Sequence, residues 1–312
     1  MLMHWIKKTK KKTILKKKRN IFLIILAFIV STFFAIILTN YYINKKQKEL
    51  LNSIYESTHK NIFEKTQNLI NDKQNTSLAI AMSLSKDETL YTHLKNKDFE
   101  KLNYIKIAKL IETNSKYKNI WIQIFDSNLN SVYRSWTNIR GSLNFRPDLK
   151  KIEALKNIST SISAGLFNIG IRARTPIFDE NNNFYGALEV VTHFDSITED
   201  LLKNNISPVV IGDKSIRKNL TNPLLSKLFI DDYYIANENV DMNLYKYIKE
   251  NGVEKYINID KFIIENGYLI SKYPLFDENK KNLAYIINFM ELKSINLENI
   301  KHIKIQTTLG TV

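Results

Sequence analysis

The stretch Pro176-Ile177-Phe178-Asp179-Glu180-Asn181 returns ninety-eight residues later as Pro274-Leu275-Phe276-Asp277-Glu278-Asn279. In both copies an apolar run leads into the proline, the polar Asp-Glu-Asn segment follows, and a second apolar run comes after it. This is the pattern of an antiparallel hairpin. Because the matching register continues without a gap to Ser196-Ile197 and Ser294-Ile295, the sequence predicts a repeated structural unit.

The N-terminal region predicts a membrane anchor. Residues 1–20 carry nine Lys or Arg and no acid, and residues 20–44 carry no charge. About twenty apolar residues cross a bilayer core, so we predict a transmembrane helix over residues 21–43, after a cytoplasmic basic tail at 1–20. Positive flanks stay in the cytoplasm, which predicts a single-pass inner-membrane protein with most of its chain outside the cytoplasm. A cleaved signal peptide is the alternative, although its apolar core is normally shorter.

Composition narrows the function classes. The net charge is +15, from 46 Lys and Arg and 31 Asp and Glu, and without the nine N-terminal cations it is +6. No basic stripe interleaved with aromatic residues follows, so no nucleic-acid partner is expected. Cysteine is absent, so the outer region must be held by its core rather than by disulfides.

The first part of the chain has no helix breaker, since the first Gly or Pro is Gly141. We predict a helical stalk and scaffold over 44–118, with one helix to about Ser85 and a second near Asp98–Lys116. Apolar residues of the first helix recur at spacings of three, four and seven, which predicts one buried face. That face is scaffold or, alternatively, also the seam of a homodimer.

From Asn119 onward the pattern predicts strands, which makes the fold class α+β: a transmembrane helix and a long helix followed by two PAS-like antiparallel sheets with flanking helices. A membrane-distal sheet of five strands is expected over 119–205 and a membrane-proximal one over 206–292. The last region, 293–312, should contain a C-terminal helix and tail. The predicted helix itself covers Glu291–Ile300 and so begins at the end of the second sheet. The predicted strands and short helices lie near 120–125, 131–136, 149–156, 160–166, 169–175, 184–192, 194–202, 208–211, 231–236, 242–249, 261–264, 267–275 and 283–290.

Arginine is concentrated in one segment. Five of the seven Arg lie between Arg134 and Arg174, where there are three Lys. The planar Arg fork binds carboxylate or phosphate at two points, so this set predicts a pocket for a small organic anion such as a carboxylate. The alternative is that some of these Arg form ordinary surface ion pairs with Glu153, Asp179 or Glu189. The candidate ligand-binding residues are Arg134, Trp136, Arg146, Asp148, Arg172 and Arg174, with Tyr133 and Trp121 as further apolar walls.

Enzymatic and metal-binding signatures are missing from the sequence. There is no Cys nucleophile, no Gly-x-Ser-x-Gly, no Gly-rich phosphate loop and no His-Glu-x-x-His. The five histidines have no ligand spacing, and the pair Asp231-Asp232 lacks a calcium loop. No catalytic residue, metal or cofactor is expected.

The order of these features resembles the double Cache domain of bacterial chemoreceptors and sensor kinases, over roughly residues 45–300. The segments Phe125-Asp126-Ser127, Tyr133-Arg134-Ser135-Trp136, Arg146-x-Asp148 and Gly170-Ile171-Arg172 before Pro176 carry the resemblance. It implies ligand binding at the distal sheet through Arg134, Trp136, Arg146, Asp148, Arg172 and Arg174. Tyr185-Gly186 also fits the family, whereas the second copy has Leu283-Ala284, which implies a structural role for the proximal sheet.

The sequence is therefore interpreted as the extracytoplasmic ligand-sensing region of a transmembrane receptor of chemoreceptor, histidine-kinase or cyclase type, without an output module in these 312 residues. A membrane-anchored accessory protein that modulates a separate receptor is the alternative. A purely structural envelope protein is a third reading, and it predicts no small-molecule ligand.

Overall fold

One long helix begins the chain. A computed structural model describes residues 2–142, 146–155 and 157–295, and its first element is helix α1, Leu2–Leu84. From Asn20 this helix contains an 18-residue window of mean hydropathy 3.1, long and apolar enough to cross a membrane. The chain divides into two units, and both sheets lie in the second, Thr58–Ile295.

The first sheet has six antiparallel strands in the order β3-β2-β1-β6-β5-β4, one more than the five predicted, because the short strand β3 was not expected. Its two central strands, β1 and β6, pair from Trp121 opposite Val191 to Asp126 opposite Gly186. The strands are β1 Trp121–Asp126, β2 Asn130–Arg134, β3 Gly141–Ser142, β4 Ser159–Ala164, β5 Ile169–Phe178 and β6 Phe184–Thr192.

The second sheet repeats the architecture with the order β10-β11-β12-β7-β9-β8. Its longest pairing joins β11 and β12, from Tyr268 opposite Glu291 to Phe276 opposite Asn282. The strands are β7 Ile206–Gly212, β8 Phe229–Ile230, β9 Tyr233–Ile235, β10 Phe262–Glu265, β11 Tyr268–Phe276 and β12 Asn282–Glu291.

The repeated sequence folds into the same hairpin turn twice. The Asp179 carboxylate accepts hydrogen bonds from the backbone N–H of Asn181 and Asn183 at 2.9 and 2.7 Å. In the second copy, Asp277 accepts from Asn279 and Lys281, both at 2.9 Å. Both hairpins also shift register at the position before the turn, between Ile177 and Phe178 and between Leu275 and Phe276. In each hairpin the aspartate side chain stabilises the turn by these hydrogen bonds, which explains why the Asp-Glu-Asn segment occurs in both copies.

Helices cover the sheets. The end of α1, together with α2 and α3, packs on one face of the first sheet around a core that includes Leu90, Ala108, Ile122 and Leu188. Helices α6 and α7 pack on the second sheet around Leu244, Tyr256 and Phe289. The remaining helices are α2 Glu88–Asn96, α3 Ile105–Asn114, α4 Pro147–Leu155, α5 Asp195–Leu202, α6 Met242–Asn251 and α7 Val253–Ile257.

The α+β class with a long N-terminal helix and two antiparallel sheets is confirmed, but several predicted elements are wrong. The predicted helix over 98–116 is interrupted: a short turn at Phe99–Lys101 precedes α3, and α2 comes before it. Helix α2 was missed although Asp87 caps it by accepting from the N–H of Thr89 at 3.0 Å. The helix predicted from Glu291 is also wrong where the structure describes it, because β12 runs to Glu291 and a 3-10 turn follows at Leu292–Ser294; the rest of that prediction lies outside the described residues.

Candidate functional site

A buried charged cluster lies on the face of the first sheet opposite the helices α1 to α3. Ile122, Ile124, Leu188 and Val190 face the helix-covered core. Because side chains alternate along a strand, Gln123 and Glu189, which lie opposite each other on β1 and β6, face the other side of the sheet. The cluster has four arginines and two carboxylates, all 3% exposed or less. Its members are Arg134, Arg146, Asp148, Arg172, Arg174 and Glu189.

Glu189, which has no exposed surface, is the centre of the cluster. One of its carboxylate oxygens accepts from Arg146 at 3.0 Å and from Arg172 at 3.1 Å. The other accepts from Arg146 at 2.6 Å and from Arg174 at 2.9 Å. Burial acts to raise the pKa of Glu189, but the guanidinium groups of Arg146 and Arg172 outweigh it and lower that pKa to about 2. Glu189 is therefore ionised and fully partnered.

Asp148 is the second carboxylate. Arg146 donates to both of its oxygens, at 3.1 and 2.7 Å, and Arg174 donates to one of them. The hydroxyl of Ser163 adds a hydrogen bond at 3.0 Å. Burial acts to raise the pKa of Asp148, yet Arg146 and Arg174 hold it well below its usual range. Arg146 and Arg174 thus lie between two carboxylates, with their charge compensated.

Two arginines of the cluster are compensated less. Arg134 has no ion pair among the described residues; it donates to the carbonyl of Ile139 and to the side-chain oxygen of Gln123, the latter at 3.0 Å from Nε. Arg172 has one ion pair, which it shares with Arg146 and Arg174 at Glu189. Burial, reinforced by neighbouring guanidinium groups, lowers the pKa of both Arg134 and Arg172 to about 10. Four cations against two anions leave an excess of two positive charges in this buried cluster.

These two arginines line a narrow hollow. Its volume is about 10 Å³, room for about one water molecule. The loop from Gly165 to Asn168 covers it, held by a hydrogen bond from the N–H of Gly165 to the carbonyl of Asn168 at 2.8 Å. Gly165 lies close to Arg172: a Cβ on this residue would lie 2.7 Å from a guanidinium nitrogen of Arg172, which would have to shift. The hollow is lined by Gln123, Arg134, Trp136, Arg146, Gly165, Leu166, Phe167, Asn168 and Arg172.

The hollow is rich in donors. The indole N–H of Trp136 and the amide nitrogen of Asn168 are buried and have no hydrogen-bond partner in the described structure. Asn168 is 2% exposed, and its side-chain oxygen is already used, since it accepts from Arg172 at 3.1 Å. A buried donor without an acceptor is costly. Two such donors beside two under-compensated guanidinium groups make the hollow complementary to an anion.

The predicted site residues fall into three groups. Arg134, Trp136, Arg146 and Arg172 line the hollow. Asp148 and Arg174 belong to the ion-pair network beside it. Tyr133 and Trp121 lie outside the hollow.

Tyr133 belongs to the opposite core, where its hydroxyl accepts from the N–H of Tyr104 at 2.8 Å. Trp121 stacks on Trp136 with ring centres 4.5 Å apart. It therefore supports the wall of the hollow from behind.

The sequence alternative that placed these arginines in ion pairs was right about Glu189 and wrong about its surroundings. Glu189 does pair with three arginines, but in the interior rather than on the surface. Asp179 is used by its own hairpin turn, and the side chain of Glu153 lies outside the described residues.

Five lining residues were not identified from the sequence: Gln123, Gly165, Leu166, Phe167 and Asn168. Gln123 had a usable signal, because it is the one polar residue in the apolar strand Ile120–Phe125.

Comparisons with solved structures give likenesses at low identity. The sensor domain of the Vibrio cholerae histidine kinase DctB matches 79% of this chain over 98% of its own length, with 13% identity and a TM-score of 0.46. A sensory box/GGDEF family protein domain from Vibrio parahaemolyticus matches 78% of this chain over 99% of its length, with 18% identity and a TM-score of 0.42. The ligand-binding domain of the Campylobacter jejuni chemoreceptor Tlp3, solved with 4-methylisoleucine, matches 78% over 95% of its length, with 17% identity and a TM-score of 0.39.

These similar structures are sensor or ligand-binding domains of the receptor classes that the sequence resemblance named. At TM-scores below 0.5 they assign no ligand and no output to this chain. No protein-family model matches the sequence, and a search of curated proteins found no significant match.

Proposed function

We propose that this chain is the ligand-sensing region of a transmembrane receptor, and that the hollow on its first sheet binds a small carboxylate. The observation that carries the proposal is the chemistry of the hollow. Arg134 and Arg172 bring positive charge that Asp148 and Glu189 do not fully balance, and two buried N–H donors lack acceptors. A carboxylate supplies both the charge and the acceptor oxygens.

The same chemistry selects among carboxylates. An α-ammonium group on the ligand needs a free acceptor, preferably a carboxylate. Glu189 and Asp148 already accept from several arginines each. The proposed ligand is therefore an organic acid without an ammonium group beside its carboxylate, rather than an amino acid.

Ligand entry requires movement of the covering loop. The free volume of about 10 Å³ is smaller than any organic acid, so Leu166 to Asn168 must open and close again around the ligand. The ligand would therefore shift the equilibrium between the open and the closed arrangement of this loop. This loop connects the edge strand β4 to its neighbour β5 in the first sheet, so its movement would act on that side of the sheet.

The proposed topology follows the charge pattern. We place residues 21–43 across the inner membrane, with the basic tail in the cytoplasm and both sheets outside. Helix α1 then connects the sheet region to the membrane span, and homodimerisation along it is part of the proposal. The carboxylate signal would pass along this helix to an output carried by another part of the receptor.

A thermal-shift measurement on the full chain in detergent tests the ligand. Acetate, benzoate and succinate represent the proposed class, while alanine and glucose represent others. A carboxylate at about 100 times its dissociation constant should stabilise the protein by about 2.7 kcal/mol, which is a rise of several degrees in melting temperature. Stabilisation by alanine or glucose alone would contradict the proposed chemistry.

The variants Arg134→Gln and Arg140→Gln test the site. Both remove one guanidinium group from the same segment, but Arg134 lines the hollow and Arg140 is exposed. We expect Arg134→Gln to weaken carboxylate binding at least tenfold and Arg140→Gln to leave it within about twofold, since a charge-assisted hydrogen bond contributes about 1.5–3 kcal/mol. Equal affinities for the two variants would place the ligand elsewhere.

A further inference from the structure

Helix α1 carries a lysine in the interior of the protein. Lys73 is 2% exposed. Its ammonium group lies 2.7 Å from the hydroxyl oxygen of Ser196, at the start of α5. On its other side it lies 3.7 Å from the ring centre of Tyr117. Lys73 therefore sits at the seam between the long helix and α5, the helix that links the two sheets.

In the part of the chain that the structure describes, no carboxylate forms an ion pair with this ammonium group. Asp200, the nearby acid of α5, pairs with Lys116 at 3.0 Å and Lys203 at 2.9 Å. Asp195 accepts from the N–H of Glu238 at 2.8 Å with one oxygen, while its other oxygen is buried without a hydrogen-bond partner in the described structure and forms no ion pair with Lys73. Lysine is almost never fully buried without a paired anion, because burying an unpaired charge is costly.

The surrounding charges do not remove this cost. Burial is the main cause that lowers the pKa of Lys73 to about 7, and Lys116 lowers it further, against smaller effects of Asp195, Asp200 and Glu199. The titratable groups that face Lys73 are Asp72 on α1, Lys116 and Tyr117 after α3, His193 at the end of β6, and Asp195, Glu199 and Asp200 on α5.

We propose that Lys73 is a proton-binding site built into the seam between α1 and α5, and that protonation of its amine loosens this seam. A neutral amine can remain in the interior with its hydrogen bond to Ser196. An ammonium group gains hydration when the seam opens. The proton is thus a second input to the chain, independent of the hollow, and it acts on the helix that also contains the apolar segment 21–43.

The direction of the pH effect follows from linkage. The amine titrates near 10.4 when it is solvated and near 7 in the closed seam. Between these pH values the open or unfolded state binds more protons, so the closed state gains stability as the pH rises. Below about pH 7 both states are protonated, and the full cost of the buried charge is present.

Hydrogen exchange on the full chain in detergent tests the proposal. Exchange of the backbone amides around Ser196 and around Lys73 is measured from pH 6 to pH 10 and corrected for the intrinsic pH dependence. We expect the opening constant of the seam to fall between about pH 7 and pH 10, by up to about tenfold per pH unit. An opening constant that does not change with pH would overturn the proposal.

Two lysine variants separate titration from packing. Lys73→Met keeps the length of the side chain and removes the proton, so its seam should open to the same extent at pH 6 and pH 9. Lys65→Met makes the same change on the same helix at a partly exposed position and should keep the wild-type pH profile. If Lys73→Met kept that profile as well, another group would be the proton-binding site.

Discussion

At the scale of single residues, Glu189 is the shared partner that allows three arginines to be buried on one face of a sheet. It accepts hydrogen bonds from Arg146, Arg172 and Arg174 with both oxygens. Buried ion pairs contribute little net stability compared with an apolar core, but the loss of one partner is costly because it leaves an uncompensated charge. The cluster therefore fixes the geometry of the hollow rather than the stability of the fold.

This role predicts a large effect of Glu189→Gln. The change keeps the size of the side chain and removes its charge, so three guanidinium groups would share Asp148 alone. We expect the free energy of unfolding to fall by about 3–5 kcal/mol, measured by denaturant unfolding of the full chain in detergent. Glu180→Gln, at the exposed tip of the hairpin turn, is the control and should stay within about 0.5 kcal/mol of wild type. Equal stabilities would show that Glu189 is not the centre of the cluster.

At the scale of elements, the two hairpins share a turn but differ in the closing strand. Gly186 has φ +151°, and a Cβ at this position would lie 2.0 Å from the carbonyl oxygen of Phe125 on the neighbouring strand. The equivalent residue of the second copy is Ala284, which lies opposite Gly212. In the first sheet the glycine is on the hairpin strand β6, beside β1. In the second sheet it is on β7, beside the hairpin strand β12.

Gly186→Ala should therefore damage the first sheet. The new Cβ meets backbone rather than a flexible side chain, so the pairing of β1 with β6 must shift. We expect a loss of about 3 kcal/mol in thermal unfolding of the full chain. Gly267→Ala is the matched control: its φ is +79° and nothing lies within 4 Å of the added Cβ, so strain alone should cost about 1–2 kcal/mol. A smaller loss for Gly186→Ala than for Gly267→Ala would contradict the backbone contact.

The repeat made most of this architecture predictable. The run Pro-x-Phe-Asp-Glu-Asn marks both hairpins because the same aspartate hydrogen bonds hold both turns. The predicted strand over 169–175 stopped before Pro176, but β5 continues to Phe178. The pairing of β5 with β6 shifts register between Ile177 and Phe178, as at a β-bulge, so the strand continues past Pro176 with irregular pairing.

The site could be predicted only in part. The density of arginines located the cluster, whereas Glu189 was predicted only as one possible ion-pair partner. The contribution of Phe167 and Asn168 depends on how the loop after β4 folds back over the sheet, which no periodicity in the sequence describes. Which arginines have carboxylate partners depends on distances between residues of different strands. These distances could not be predicted from the sequence.

At the scale of the whole molecule, charge and hydropathy are unevenly distributed along the chain. Nine of the 46 basic residues lie in the first twenty positions, and the apolar segment follows them. The remaining chain is only modestly basic, and its charges are mixed. This asymmetry is what sets the orientation of a single-span protein.

The absence of cysteine from the sequence allows a direct test of orientation. A single cysteine is introduced as Ser127→Cys, at an exposed turn of the first sheet, or as Thr13→Cys in the basic tail. In intact cells with a permeable outer layer, a membrane-impermeant maleimide should label Ser127→Cys and not Thr13→Cys. Labelling of Thr13→Cys alone would reverse the proposed topology.

Tryptophan fluorescence can show whether the hollow beside Arg134 binds a carboxylate. Trp136 lines the hollow and stacks on Trp121, and the third tryptophan of the chain is Trp5. The full-length Trp5→Phe protein is titrated with acetate, benzoate and succinate. The account predicts a saturable change in emission with at least one of them, lost when Arg134→Gln is added. No saturable change with any of the three, or an equal change without Arg134, would contradict the account.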